Sequence, residues 1–253
     1  MSVINIADIN LEEGSILLID KPLRWTSFDV VNKLKYAIKQ HFGVKKFKIG
    51  HAGTLDPLAT GLLIVCVGKC TKQIPQIQSY QKQYEGTFTI GATTASYDLE
   101  KQPENFQPYQ HLTKTEIEQV RQQFCGKLQQ IPPIFSAVKV DGKRAFDLAR
   151  KGKEVNIEAK EITIYDFQIQ NIQLPEIQFS IQCSKGTYIR SIARDFGNAL
   201  GCGAYLSSLR RTHIGQYSLE NPFDFSSLII NKEEKTLNNR KKRDFEIDTN
   251  IIC

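Results

Sequence analysis

The sequence predicts an α+β protein with a mixed, mainly antiparallel sheet flanked by helices and loops. Three observations predict it. Short alternating or wholly apolar runs, bounded by Gly, Pro and polar residues, recur along the chain and read as strands. Three longer segments repeat their apolar residues at helical spacing. Two of the strands lie close together across a turn and read as a hairpin, an antiparallel unit. The chain has 253 residues, room for one large domain or two small ones.

The first strand is residues 14–20, which lead to Lys21-Pro22. A helix follows Trp25-Thr26-Ser27, because Val30, Val31, Leu34, Ala37 and Ile38 make one apolar stripe. Thr26 or Ser27 can cap its start, Asp29 suits its first turn, and Gly43 can end it. Lys33, Lys35 and Lys39 stand on the opposite face, with Lys45, Lys46 and Lys48 beyond; they form either a solvated face or a phosphate contact.

Residues 50–61 then place three glycines, His51, Asp56 and Pro57 in twelve positions. The apolar run Leu62 to Val67 follows at once and reads as a buried strand. Asp56 therefore stands on a shaped loop leading into the sheet, either as a turn or cap residue or as a functional group. Tyr84 to Ala92 alternates, with Tyr84, Gly86, Phe88 and Ile90 on one face. By itself Tyr84 reads as a core aromatic. Residues 93–111 are loop-like, and Thr113-x-x-Glu116 is a capping box ahead of Ile117, Val120 and Phe124.

Between Gln130 and Lys153 two prolines, Phe135 and Phe146 are interleaved with Lys139, Lys143, Arg144, Arg150, Lys151 and Lys153, a mixture suited to single-stranded RNA. Residues 162–170 and 177–183 form the hairpin, with Pro175 and Glu176 in the connection. The last helix carries Ile189, Ile192, Ala193, Phe196, Ala199 and Leu200 on its stripe and stops at Gly201. Arg190 falls on another face at the strand-to-helix junction, either a surface residue or one aimed at the end of the sheet.

Composition narrows the function. Hydrophobic residues make up 41% and charged residues 24%, as in an ordinary soluble protein. No apolar run is long enough to span a membrane, and the N-terminus does not read as a secretory signal. The six cysteines, at 66, 70, 125, 183, 202 and 253, form no C-x-x-C pair, and the four His are scattered, so no metal site is expected. A reduced, cytoplasmic protein fits this cysteine usage. The net charge of +6 permits attraction to a polyanion.

Gly50-His-Ala-Gly-Thr-Leu-Asp-Pro-Leu-Ala-Thr-Gly-Leu-Leu63 resembles the catalytic motif of the bacterial tRNA pseudouridine-55 synthases, the TruB family. Ile19-Asp-Lys-Pro-x-x-x-Thr-Ser27, Lys82-x-Tyr84, Ser184-Lys-Gly-Thr-Tyr-Ile-Arg190 and Leu206-Ser-Ser-Leu-Arg-Arg-Thr212 resemble further motifs in family order. Gly91, Thr94 and Asp98 match another family stretch, and 128–153 resembles the family's thumb, which closes over the RNA loop. One departure is Arg24, where the family usually has Gly, so the turn there is expected to differ.

The resemblance implies the pseudouridine synthase fold and isomerisation of uridine 55 in the T-loop of tRNA. Asp56 is then the nucleophile, Tyr84 stacks on the base and is a candidate for proton transfer, and Arg190 pairs with Asp56. His51 fills the stack left by the flipped uridine, Tyr188 and Leu209 line the pocket, and Lys21 supports the loop at the substrate site. No cofactor is expected. The partner is the T-arm of tRNA, with no membrane, no obligatory protein partner and a monomeric state. Residues 1–225 are expected to form the catalytic domain and 226–253 a charged tail, without an extra C-terminal RNA-binding domain. Two alternatives stand beside this reading: an RNA-binding helper of tRNA folding, and a guide-dependent relative acting on ribosomal RNA.

Overall fold

The computed structural model describes residues 5–136, 139–140, 143–144, 157–220 and 222–228. The strands are β1 (Ser15–Lys21), β2 (Ile49–His51), β3 (Ala59–Val67), β4 (Lys82–Ile90), β5 (Gly126–Gln130), β6 (Lys139–Val140), β7 (Lys143–Arg144), β8 (Lys160–Gln173), β9 (Glu176–Cys183) and β10 (Ala204–Ile214). The helices are α1 (Ser27–Phe42), α2 (Ile74–Ser79), α3 (Lys114–Gln122) and α4 (Ile189–Ala199).

One eight-stranded sheet runs in the order β1-β3-β10-β4-β9-β8-β5, with β2 on β3; β6 and β7 pair separately. Every pairing in the large sheet is antiparallel except β10 with β3. This is the mixed, mainly antiparallel sheet the sequence predicts.

The strand interiors follow the period of two. On β3, Leu63, Val65 and Val67 join the main core, and Leu62, Ile64 and Cys66 join a second cluster with Ile77 and Ile214. Both faces of β3 are thus covered, which is why its sequence is apolar without alternation. The main core centres on Phe88, Phe167, Phe179 and Phe196; Phe88 stacks on Phe179 at 4.1 Å between ring centroids.

The end signals act as expected at α1. Thr26 accepts from the Asp29 N–H, the Asp29 carboxylate accepts from the Thr26 N–H, and Gly43 takes the left-handed conformation at φ 65°. The Thr113–Glu116 box caps α3 in the same way. The hairpin strands are longer than the alternating runs indicate, because β8 extends over polar residues at both ends.

Arg24 adopts φ 66°, a conformation that costs an L-residue about 1–2 kcal/mol. Its N–H donates to the Pro57 carbonyl at 2.8 Å. Arg24 thus takes the left-handed backbone that a glycine adopts freely, at a cost in strain.

Beyond the motif regions, 222–225 returns to the sheet: the Phe223 N–H donates to Leu18, and Phe225 meets Trp25 edge-on at 5.5 Å. The charged tail beyond Leu228, and all but four residues of the basic stretch from Ala137 to Lys153, lie outside the described residues. Among the described residues no helix is long and apolar enough to cross a membrane.

Candidate active site

The loop between β2 and β3 is held from three directions. Ser27, in the first turn of α1, accepts from the Leu55 N–H at 2.9 Å and donates to the Leu55 carbonyl at 3.1 Å. Lys21, at the end of β1 and 0% exposed, donates to the carbonyls of Trp25, Pro22 and Pro57 at 2.6, 3.0 and 3.3 Å. Arg211, on β10 and also buried, donates to Leu62, Gly53 and Thr54 at 2.8, 3.0 and 3.4 Å. Gly61 lets β3 lie close against β10, since a Cβ there would stand 2.3 Å from the Arg211 carbonyl oxygen. With its backbone fixed, the loop presents the Asp56 side chain, 40% exposed, at the mouth of a cavity.

Arg190, on the first turn of α4, meets that carboxylate. Its Nε lies 2.9 Å from Asp56 Oδ2 and 3.5 Å from Asp98 Oδ2. The Nε hydrogen points squarely at neither oxygen, so the contact is an ion pair rather than an aligned hydrogen bond. The rest of the fork donates to the carbonyls of Ser96 and Phe135 at 3.2 and 3.1 Å.

Asp98 is itself fixed. Its carbonyl accepts from Thr94 and Ser96, its carboxylate accepts from the Glu100 N–H, and the preceding Tyr97, at φ 63°, accepts from the Leu206 N–H. Arg190 therefore joins the loop of Asp56, the loop of Asp98 and the segment before β6.

The cavity of about 290 Å³ is near the small end of the range for ligand pockets, roughly 300–1,000 Å³. Tyr84, Tyr188, Leu209 and Arg190 line it together with Asp56, Lys82 and Arg211. Tyr84 stands opposite Arg211 across β4 and β10. Burial pushes its phenol above the ordinary range, and the guanidinium of Arg211 opposes this. Tyr188 is raised by burial as well, and its backbone exchanges hydrogen bonds with the Gln130 side chain.

Burial also pulls the Lys21 and Lys82 ammonium groups down to about 8. Lys21 is not among the residues lining the cavity and touches it only through the loop it holds. His51, on β2, is half-buried and outside the cavity lining; burial and then the charge of Arg211 lower its imidazole.

Sequence reasoning thus names seven residues of this region, and the structure brings Asp56, Tyr84, Arg190, Tyr188 and Leu209 to one cavity. It gives no role to Arg211, Ser27 or the Asp98 carboxylate. The signals were present: Arg211 lies two residues after Leu209 in a quoted motif, and Asp98 lies in another.

Residues 39–189 match the model of the TruB family pseudouridylate synthase N-terminal domain, and 190–238 match the tRNA pseudouridylate synthase B C-terminal domain. The second match begins at Arg190, the second residue of α4, and runs through β10, so its first part is built into the same sheet. A protein of Phocaeicola vulgatus called tRNA pseudouridine synthase B is 53% identical over 212 residues, which are 84% of this chain and 90% of that protein. One of the same name from Flavobacterium johnsoniae is 54% identical over 215 residues, 85% of this chain and 94% of its own. Among solved structures, a chain of a Cbf5–Nop10–Gar1 complex superposes with a TM-score of 0.61 at 28% identity, over 82% of this chain and 50% of that one. The chain spans about half the length of that solved relative. On the family match across 39–189 and identity above one half with relatives covered almost end to end, the chain belongs to the TruB family of pseudouridylate synthases.

Proposed function

We propose that the protein isomerises uridine 55 in the T-loop of tRNA to pseudouridine, with Asp56 as nucleophile. The observation that carries this reading is the 2.9 Å pairing of Asp56 with buried Arg190 at the mouth of a cavity walled by two tyrosines. The names of the relatives, tRNA pseudouridine synthase B, point to the same substrate.

In this reaction the C1′–N1 bond breaks, the base turns, and C1′–C5 forms. A carboxylate is a modest nucleophile, so a fixed approach and a site closed to water supply much of the rate. The three holds on the loop and the fork of Arg190 give that fixed approach. Tyr84 stacks on the ring, its hydroxyl available for proton transfer. Tyr188 and Leu209 enclose the base, and Lys21 keeps the loop in place.

A base can enter so small a cavity only after leaving its stack, which costs a few kcal/mol. His51, on the strand leading into the loop, takes the vacated place. Residues 1–225 act as one catalytic unit, with the basic stretch around 128–153 gripping the RNA.

The reading is tested with an unmodified tRNA transcript, mapped for pseudouridine after incubation. It expects one new pseudouridine, at position 55. No product, or product elsewhere in the molecule, contradicts it.

A further inference from the structure

The cavity carries an excess of positive charge that the roles above do not use. Its charged lining is Lys82, Arg190, Arg211 and Asp56. Arg190 is matched by Asp56 and Asp98. Lys82 and Arg211 are not: among the described residues neither forms an ion pair with a carboxylate. Lys82 donates to the carbonyls of Gln78 and Tyr80 at 2.6 and 2.5 Å, and Arg211 meets the three carbonyls already named and the Tyr84 hydroxyl, none of them a carboxylate. They are 7% and 1% exposed. Burying a cation without a counter-ion is unfavourable, and the fall of the Lys82 ammonium to about 8 is the sign of it.

Both cations stand beside Tyr84. Lys82 is two residues before it on β4 and so on the same face, and Arg211 is directly opposite on β10. A preorganised positive field next to the ring-stacking residue suits negative charge that appears only during reaction. We propose that Lys82 and Arg211 form an electropositive floor that stabilises the uracil ring as an anion in the isomerisation.

This deepens the function proposed above and rests on it. When C1′–N1 breaks, its electron pair leaves with N1, and the ring carries one negative charge shared with O2 and O4. The Asp56 carboxylate bonds to C1′ as N1 leaves; C5 then displaces that carboxylate from C1′, the C5 proton is lost and N1 takes up a proton, so no net proton or electron is gained. The floor acts on the middle of this sequence and makes no claim on either end.

The test replaces Lys82 by Met, an apolar chain of similar length, and compares two T-arm stem-loops. One carries uridine at the target, the other 5-fluorouridine, whose ring accepts negative charge more readily; its C5 carries fluorine and no proton, so loss of the starting nucleotide is followed for both. The single-turnover rate on uridine should fall about thirtyfold, about 2 kcal/mol, while the fluorinated substrate, needing less help, loses about fivefold or less. RNA affinity should stay within about threefold.

Equal slowing of the two substrates overturns the proposal. So does a loss confined to RNA affinity, which would make Lys82 a phosphate contact. A wild-type protein that makes no pseudouridine from the uridine stem-loop fails the function itself. One that makes it while slowing equally on both substrates fails only the floor.

Discussion

Ser27 holds Leu55 by both ends of its peptide, accepting from the N–H at 2.9 Å and donating to the carbonyl at 3.1 Å. The residue that opens α1 thus fixes the backbone next to Asp56. Ser27→Ala leaves two buried groups without a partner, at about 1–3 kcal/mol for an unsatisfied group. We expect a loss of stability of that order and, because Asp56 is released, a fall in kcat larger than any change in KM. Denaturant titration and steady-state kinetics on the same preparation check both.

Arg190→Lys keeps the charge and loses the fork. The guanidinium spans two carboxylates and the carbonyls of Ser96 and Phe135. An ammonium has one centre and cannot reach them all. The single-turnover rate should fall by about a hundredfold, about 2.7 kcal/mol. A loss of less than about threefold, under 1 kcal/mol, would count against the pairing.

Tyr84 separates into ring and hydroxyl. Tyr84→Phe keeps the stacking surface and should slow the chemistry while RNA affinity holds. Tyr84→Leu should also lose affinity, about 1–3 kcal/mol as for a stacked base. Matched wild-type kinetics for both would remove Tyr84 from the reaction.

What the sequence shows and what it hides divide along physical lines. Local signals are legible. Thr26, Asp29 and Gly43 bound α1, and Ile177, Phe179, Ile181 and Cys183 keep the period of β9, because their partners are a few residues away or on one face. The motif residues Asp56, Tyr84 and Arg190 do meet, although 134 positions separate the outer two.

The central strand β10 is hidden. Its register shifts between Leu206 and Ser208 and again between Arg211 and His213, which breaks the alternation that marks a strand. It also carries Arg211 inward, where charge patterning alone reads a surface residue. Lys21 is buried for the same reason: carbonyls brought by the loop and the turn, not its sequence neighbours alone, accept its hydrogen bonds.

That burial gives Lys21 a signature in pH. Desolvation lowers its ammonium from 10.5 to about 8 in the folded protein. Below about 8 both states hold the proton, and the folded state bears the penalty. Between about 8 and 10.5 the unfolded chain binds more protons, so the Lys21 contribution to stability rises with pH. The stability gap between Lys21→Met and the wild type should therefore shift toward the wild type between pH 7.5 and pH 10, by a few kcal/mol at most. Urea titrations at the two pH values measure it, and a gap independent of pH would contradict the burial of this charge.

The central claim is that Asp56 attacks the substrate, and Asp56→Asn tests it most directly. Asn keeps the shape of the side chain and lacks the anionic oxygen. Excess wild-type or variant protein is mixed with a labelled uridine tRNA transcript, and pseudouridine is measured against time, with RNA affinity determined in parallel. The account predicts a rate lower by about four orders of magnitude, about 5.4 kcal/mol, with affinity within about threefold. An Asn variant that keeps more than about a tenth of the wild-type rate, a loss under 1.4 kcal/mol, would show that the nucleophile lies elsewhere.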